Sequence, residues 1–189
     1  MMASLLSTEK LTKHFGGITA VEDCSITVQE GSITGLIGPN GSGKTTLFNL
    51  ITGIYKPEAG DVYLRDECIT RAESDKICQR GLSRTFQITR LFWNLSVLEN
   101  MIVPIRHAGP RALFGPGMFH EEEERALALL KRVGLAYLKD QPANKLSFGQ
   151  QKLLEFAAIL MADPEIVLLD EPAGGVNPSM IRFIMDLIR

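Results

Sequence analysis

The sequence predicts an α/β fold in which short strands lead into a strand, a loop and a helix, with a helical region and a final buried strand behind them. Three observations predict it. A glycine-rich loop at residues 38–43 stands between an apolar run and an amphipathic segment. The residues before it alternate apolar and polar in the two-residue rhythm of strands. Residues 166–169 form a continuous apolar run that ends in two acids, the pattern of a buried parallel strand.

Composition bounds the class. Forty-five per cent of the 189 residues are apolar and the formal charge is −2, values of a folded globular chain that exclude general disorder. So small a charge gives no global field for gripping nucleic acid or anionic lipid. Cys24, Cys68 and Cys78 are odd in number and far apart, without a CxxC pair or a histidine at zinc-finger spacing. They read as reduced thiols of a cytosolic protein. The opening MMASLLSTEK lacks the basic flank and long apolar run of a secretory signal. No stretch approaches the roughly 18 apolar residues of a membrane span, so the chain is expected neither to cross a membrane nor to enter one unaided.

The elements follow in order. Residues 5–15, 21–28 and 32–37 read as strands, the last after the Glu30-Gly31 turn. Residues 45–52 place Leu47, Phe48, Leu50 and Ile51 on a helical face that Gly53 terminates. A turn at 57–60, a strand at 61–64, a helix at 74–80 and a strand at 81–86 complete the first region. From Leu91 the text changes: Ser96 and Glu99 have capping-box spacing, predicting a helix over 97–103 that stops at Pro104. Residues 106–119 hold three glycines and two prolines and read as an irregular loop. A helix over 120–133 carries Ala126, Leu127, Leu130 and Val133 on one side, and its glutamates 121–124 suit the positive end of a helix dipole. Ser147 and Gln150 repeat the capping-box spacing and open an apolar helix ending before Pro164, and a last helix starts near Pro178.

Chemistry concentrates in the loop Gly38-Pro39-Asn40-Gly41-Ser42-Gly43-Lys44-Thr45, which satisfies the pattern GxxxxGK[ST] after a strand and before a helix. Glycines permit backbone angles that turn successive N–H groups toward a phosphate, and the helix start adds its positive end. Lys44 then reaches the β- and γ-phosphates, the Thr45 hydroxyl coordinates magnesium, and Thr46 extends the phosphate-binding turn. Asp170 and Glu171 form the second half. A strand delivers them to its C-terminal edge, where open α/β sheets bind ligands, so Asp170 can hold magnesium through water and Glu171 can polarise an attacking water.

Those two motifs alone fit a kinase, a GTPase or a recombination ATPase. Leu146-Ser147-Phe148-Gly149-Gln150, ahead of Asp170, decides among them, since it resembles the signature motif of ABC ATPases. Ser147 and Gln150 cap a helix on either view. The resemblance adds that this helix start, with Gly149 letting the backbone approach closely, is a second anion site serving the ATP held by the opposing subunit. It implies a P-loop NTPase with a mainly parallel core sheet, an N-terminal antiparallel β subdomain and an inserted α-helical subdomain, residues 1–90 and 163–189 forming the core and 91–162 the insert. It further implies that Phe15 stacks on adenine and that Gln87 touches magnesium and the attacking water. Residues 174–177, GGVN, resemble the dimer-contacting D-loop, with Asn177 where an aspartate is usual.

The run TFQITRLFWNLSVLENM and the segment LLDEPAGGVNP are similar to the ATPase subunits of bacterial branched-chain amino acid importers. That resemblance implies ATP and Mg2+ as cofactors, a second ATPase subunit (identical or a sister), transmembrane permease subunits and, indirectly, a solute-binding protein. It implies no nucleic acid partner and a cytoplasmic place on the inner face of the plasma membrane. Leu91, Phe92, Trp93 and Leu95 are candidates either for a groove receiving a permease helix or for core of the helical lobe. The family continues beyond the D-loop to a switch histidine, whereas His14, His107 and His120 all lie upstream here. A fragment of a longer protein or a shortened gene product is therefore expected. Two alternatives stay open: a nucleotide-binding module without sustained turnover, and a soluble ABC ATPase unconnected with transport.

Overall fold

The computed structural model describes residues 4–85, 91–105 and 120–170. The chain divides into two compact units, residues 1–83 and 84–189. The first is built on a four-stranded sheet. Strands β1 (Ser4–Phe15) and β2 (Ile18–Gln29) form an antiparallel hairpin around the turn at Gly16 and Gly17. β3 (Ala59–Leu64) pairs antiparallel with the other edge of β1, and β4 (Glu67–Cys68) with β3, giving the order β2-β1-β3-β4. Between β2 and β3 lies helix α1 (Lys44–Ile51), and after β4 comes the short α2 (Ser74–Gln79). Leu6, Leu11, Leu47, Leu50, Ile51, Val62, Ile69 and Ile77 are buried. Leu47, Leu50 and Ile51 are the buried positions of α1, on the helical face that its sequence marks.

Residues 32–37, expected to be a strand, have no regular structure. A strand needs a hydrogen-bonding neighbour, and this segment finds none among the described residues. Ile33 is 59 % and Ile37 93 % exposed. The apolar residues that read as a strand, Leu36 among them, stand at the surface instead.

The second unit is helical. β5 (Leu82–Arg84), the strand at which the chain divides, is hydrogen-bonded to β6 (Ile166–Leu168). β6 is less buried than its apolar run predicted, since Leu168 is buried while Ile166, Val167 and Leu169 are half-buried. Helices α3 (Val97–Ile102), α4 (His120–Arg132) and α5 (Phe148–Leu160) pack around Val97, Met101, Ala126, Leu130, Leu154 and Ala157. Both capping boxes form. In α3 the Glu99 N–H donates to Ser96 Oγ (3.1 Å) and the Ser96 N–H to Glu99 Oε2 (2.7 Å). Buried Asn100 extends this anchorage: its amide donates to the Phe92 and Ser96 carbonyls and accepts from the Phe92 N–H. Leu91 joins the core while Phe92 and Trp93 remain exposed, so the four residues considered together in the sequence divide between core and surface.

The expected loop at 106–119 and the final helix near Pro178 lie outside the described residues. Gly43 is the position on which the first unit turns. Its φ is +88°, and a Cβ there would stand 2.2 Å from the backbone oxygen of Ala20. Gly43→Ala is therefore expected to destabilise the protein by at least about 2 kcal/mol, combining left-handed strain with displacement of β2. Thermal unfolding followed by circular dichroism tests this; an unchanged midpoint would contradict it.

Candidate functional site

The loop at 38–43 is held from within. The Ser42 N–H donates to the Pro39 carbonyl (3.2 Å), making a turn, and Gly41 and Gly43 take φ values of +82° and +88°. Helix α1 starts directly after Gly43, with no side-chain cap. The first amides of a helix have no intrahelical acceptor, so a glycine cap leaves them directed at whatever the loop holds. The Lys44 side chain folds back over the loop, its Nζ donating to the carbonyls of Gly38 (2.7 Å) and Pro39 (2.8 Å). Gly38, Pro39, Asn40, Gly41, Ser42 and Thr45 are exposed, while Lys44 and Thr46 are half-buried. An uncapped helix start, two left-handed glycines and one ammonium thus lie within an accessible loop, an arrangement that suits an anion.

Phe15 ends β1 with its ring 43 % exposed, outside the core. Tyr55 meets it edge-on, with ring centroids 5.2 Å apart, and Lys13 Nζ lies 5.6 Å from the Phe15 centroid.

In the second unit Ser147 is exposed at the start of α5. Its N–H donates to Gln150 Oε1 (2.9 Å), and the Gln150 N–H donates to Ser147 Oγ at a long 3.4 Å. A hydroxyl that accepts in this way keeps its own proton to donate outward. Phe148 and Tyr137 flank the turn, 50 % and 76 % exposed, and Gln150 Nε2 donates to the Tyr137 hydroxyl (3.3 Å). Gly149 is half-buried behind them. This helix start is self-capped, yet its serine stands on the surface.

Asp170 is buried at the end of β6, and one partner here had no signal in the sequence. Arg84 Nη2 donates to Asp170 Oδ2 at 2.7 Å, the two side chains being only 5 % and 9 % exposed. The Asp170 N–H donates to Thr85 Oγ1 (3.1 Å), and the Thr85 N–H to the Leu168 carbonyl (2.9 Å). Residues 84 and 85 thus fix both the backbone and the carboxylate of Asp170. No local motif announces a pair that joins residues this far apart in the chain. Gln87, Glu171 and the GGVN segment at 174–177 lie outside the described residues.

The family profile described as ABC transporter matches residues 21–174, a span that holds the glycine loop, Ser147 and Asp170. The chain belongs to the ABC transporter ATP-binding family. It is 38% identical to the high-affinity branched-chain amino acid transport ATP-binding protein LivG of Salmonella typhimurium, over 100% of this chain and 77% of that protein. It is also 38% identical to a probable branched-chain amino acid transport ATP-binding protein LivG of Archaeoglobus fulgidus, over 96% of this chain and 73% of the relative. Among solved structures it is similar to a nucleotide-free ATP-binding cassette from an ABC transporter, with TM-score 0.83 and 36% identity over 98% of this chain and 76% of the other. The dimeric structure of a bacterial ABC transporter cassette matches with TM-score 0.83 and 30% identity, over 97% and 81%. The fold is that of the ABC ATPase cassettes, and the ABC chain described here spans about three quarters of these relatives. Among its described residues no helix is long and apolar enough to cross a membrane.

The Arg84–Asp170 pair makes a testable demand. Arg84→Met leaves a buried carboxylate without its guanidinium, and should cost about 3–5 kcal/mol in chemical denaturation. Adding Asp170→Leu to that variant should restore much of the loss. A single variant as stable as the parent would contradict the pairing.

Proposed function

We propose that the chain is the ATP-binding and ATP-hydrolysing subunit of an ABC importer for branched-chain or related amino acids. The observation that carries this is the 38–45 loop, where two left-handed glycines, an uncapped helix start and Lys44 come together within eight accessible or half-buried residues. The likeness to the LivG proteins supports the substrate class, and the likeness to a dimeric cassette supports pairing with a second ATPase subunit.

The residues present fit a magnesium-bound triphosphate. In the first unit the loop offers backbone N–H donors and an ammonium, and exposed Thr45 offers a hydroxyl beside them. In the second unit Arg84 fixes the Asp170 carboxylate through one oxygen, and that carboxylate would hold the metal through water. Thr45, Asp170 and Gln87 would hold Mg2+, which when bound neutralises charge on the phosphates. Lys44 and the loop amides orient the phosphates. Phe15 receives the adenine ring. Glu171 takes a proton from the attacking water as its oxygen bonds to the γ-phosphorus and the bridging oxygen leaves with ADP. Ser147, Gly149 and Gln150 meet the triphosphate held by a second subunit. Closure of that pair on binding and its reopening after hydrolysis would drive permease subunits fed by a solute-binding protein. In this scheme residues 1–90 and 163–189 act as the nucleotide-binding core and 91–162 as the helical insert, with the assembly on the cytoplasmic face of the plasma membrane.

The roles separate in the laboratory. Lys44→Ala should abolish ATP binding, whereas Glu171→Gln should keep binding and lose roughly 10² to 10⁴ in turnover. Equilibrium binding and phosphate release measure the two. Normal hydrolysis by the Glu171 variant would overturn the base assignment. ATP binding by the parent chain with no phosphate release at all would favour a nucleotide-binding module over an ATPase.

A further inference from the structure

The Phe15 ring is partly exposed, and residues 53–58 meet it and the two residues before it. That turn is anchored to the end of α1, where the Tyr55 N–H donates to the Asn49 carbonyl (3.0 Å). Lys56 Nζ ties its middle to the Ala72 carbonyl (2.7 Å). Its far end is tied to β1 by the Glu58 N–H, which donates to the Thr12 carbonyl (3.0 Å).

From this frame Glu58 reaches back over the residues beside Phe15. Its Oε1 accepts from the His14 backbone N–H (3.2 Å) and lies 3.3 Å from Lys13 Nζ. Its Oε2 lies 2.7 Å from His14 Nδ1, which must carry the proton because an ionised carboxylate only accepts. Three donors on two consecutive residues are thus gathered by one carboxylate, and the next residue is Phe15. The His14 ring, the His14 N–H and Lys13 together hold the Glu58 carboxyl down at about 2, so it stays ionised throughout the working range. Tyr55, three residues before Glu58, closes on the ring edge. All these groups are partly exposed, where ion pairs add little to stability. Their common effect is on where the Phe15 ring stands.

We propose that Tyr55 and Glu58 are positioning residues that hold Phe15 as a base platform in fixed spacing from the phosphate loop. Part of the grip on a nucleoside triphosphate then comes from its base. This rests on the reading of Phe15 and the 38–45 loop given above. The turn that carries Tyr55 continues from the helix that opens at Lys44, so one covalent path, α1 and residues 53–58, sets the distance between the phosphate and base ends of the site.

Two probes separate base from phosphate: ATP and inorganic tripolyphosphate, each titrated calorimetrically with Mg2+ into the whole chain. Tyr55→Ala and Glu58→Ala should weaken ATP by about threefold to tenfold, the worth of one aromatic contact, and leave tripolyphosphate unchanged. Tyr55→Phe should bind as the parent, because it keeps the aromatic ring that meets Phe15. Glu58→Gln, which keeps one acceptor oxygen, should fall between parent and alanine variant. Unchanged ATP affinity in both alanine variants, or parallel weakening of both ligands, overturns the proposal. Two controls distinguish the underlying reading from the clasp. If Lys44→Ala spares both ligands, the phosphate loop has been misread. If Phe15→Ala removes the advantage of ATP over tripolyphosphate while Tyr55→Ala and Glu58→Ala keep it, the base platform stands and the clasp fails.

Discussion

The proposed hold on a phosphate depends first on how α1 begins. A helix that starts on a side-chain cap spends its first amides on that cap; one that starts on glycine leaves them pointing forward. Gly43 provides the second kind of start, and its backbone lies against Ala20 so closely that no side chain fits between. The close contact with β2 and the open helix end are one requirement met by one residue. Lys44 follows at once, which places a full positive charge where the partial charges of the helix end already converge. Sheet packing, loop shape and electrostatics therefore meet within three residues.

The other long helix start of interest is built oppositely. α5 closes its own first turn through the Ser147 and Gln150 pair, as α3 does through Ser96 and Glu99. In α3 both arms of the box are short. In α5 the hydroxyl arm is 3.4 Å, and Ser147 and Phe148 lie on the surface. The same motif serves as an anchor in one helix and as an exposed polar corner in the other, and burial of the flanking residues makes the difference. A serine whose hydroxyl proton is still available suits an interface reached by a second subunit better than a closed structural cap does.

What the sequence made legible follows from the range of each interaction. The capping boxes, Gly53 and Gly134 after α1 and α4, the two strands on either side of Gly16 and Gly17 and the glycine turn at 38–43 are encoded within a few residues, and the structure contains them. Interactions between distant segments were not legible. Nothing beside Arg84 announces Asp170, and nothing beside Glu58 announces His14, because each pair is made by the fold and not by a local pattern. The segment at 32–37 shows the converse: Ile33, Leu36 and Ile37 carry a strand signature, but a strand exists only where another backbone pairs with it. The Phe15 ring falls between these cases. Its position before the loop suggested a role, and its exposure beside Tyr55 separates it from the core aromatics, while the contacts that orient it could be seen only in three dimensions.

The central claim is that backbone amides at the start of α1 take hold of the phosphates. Amide chemical shifts of the 189-residue chain, followed as ATP and Mg2+ are added to saturation, test it most directly. The account predicts that Gly41, Ser42, Gly43, Lys44 and Thr45 move most, downfield as their N–H groups meet phosphate oxygen. If those five amides stay in place while ATP binds with its largest shifts elsewhere in the chain, the account is contradicted.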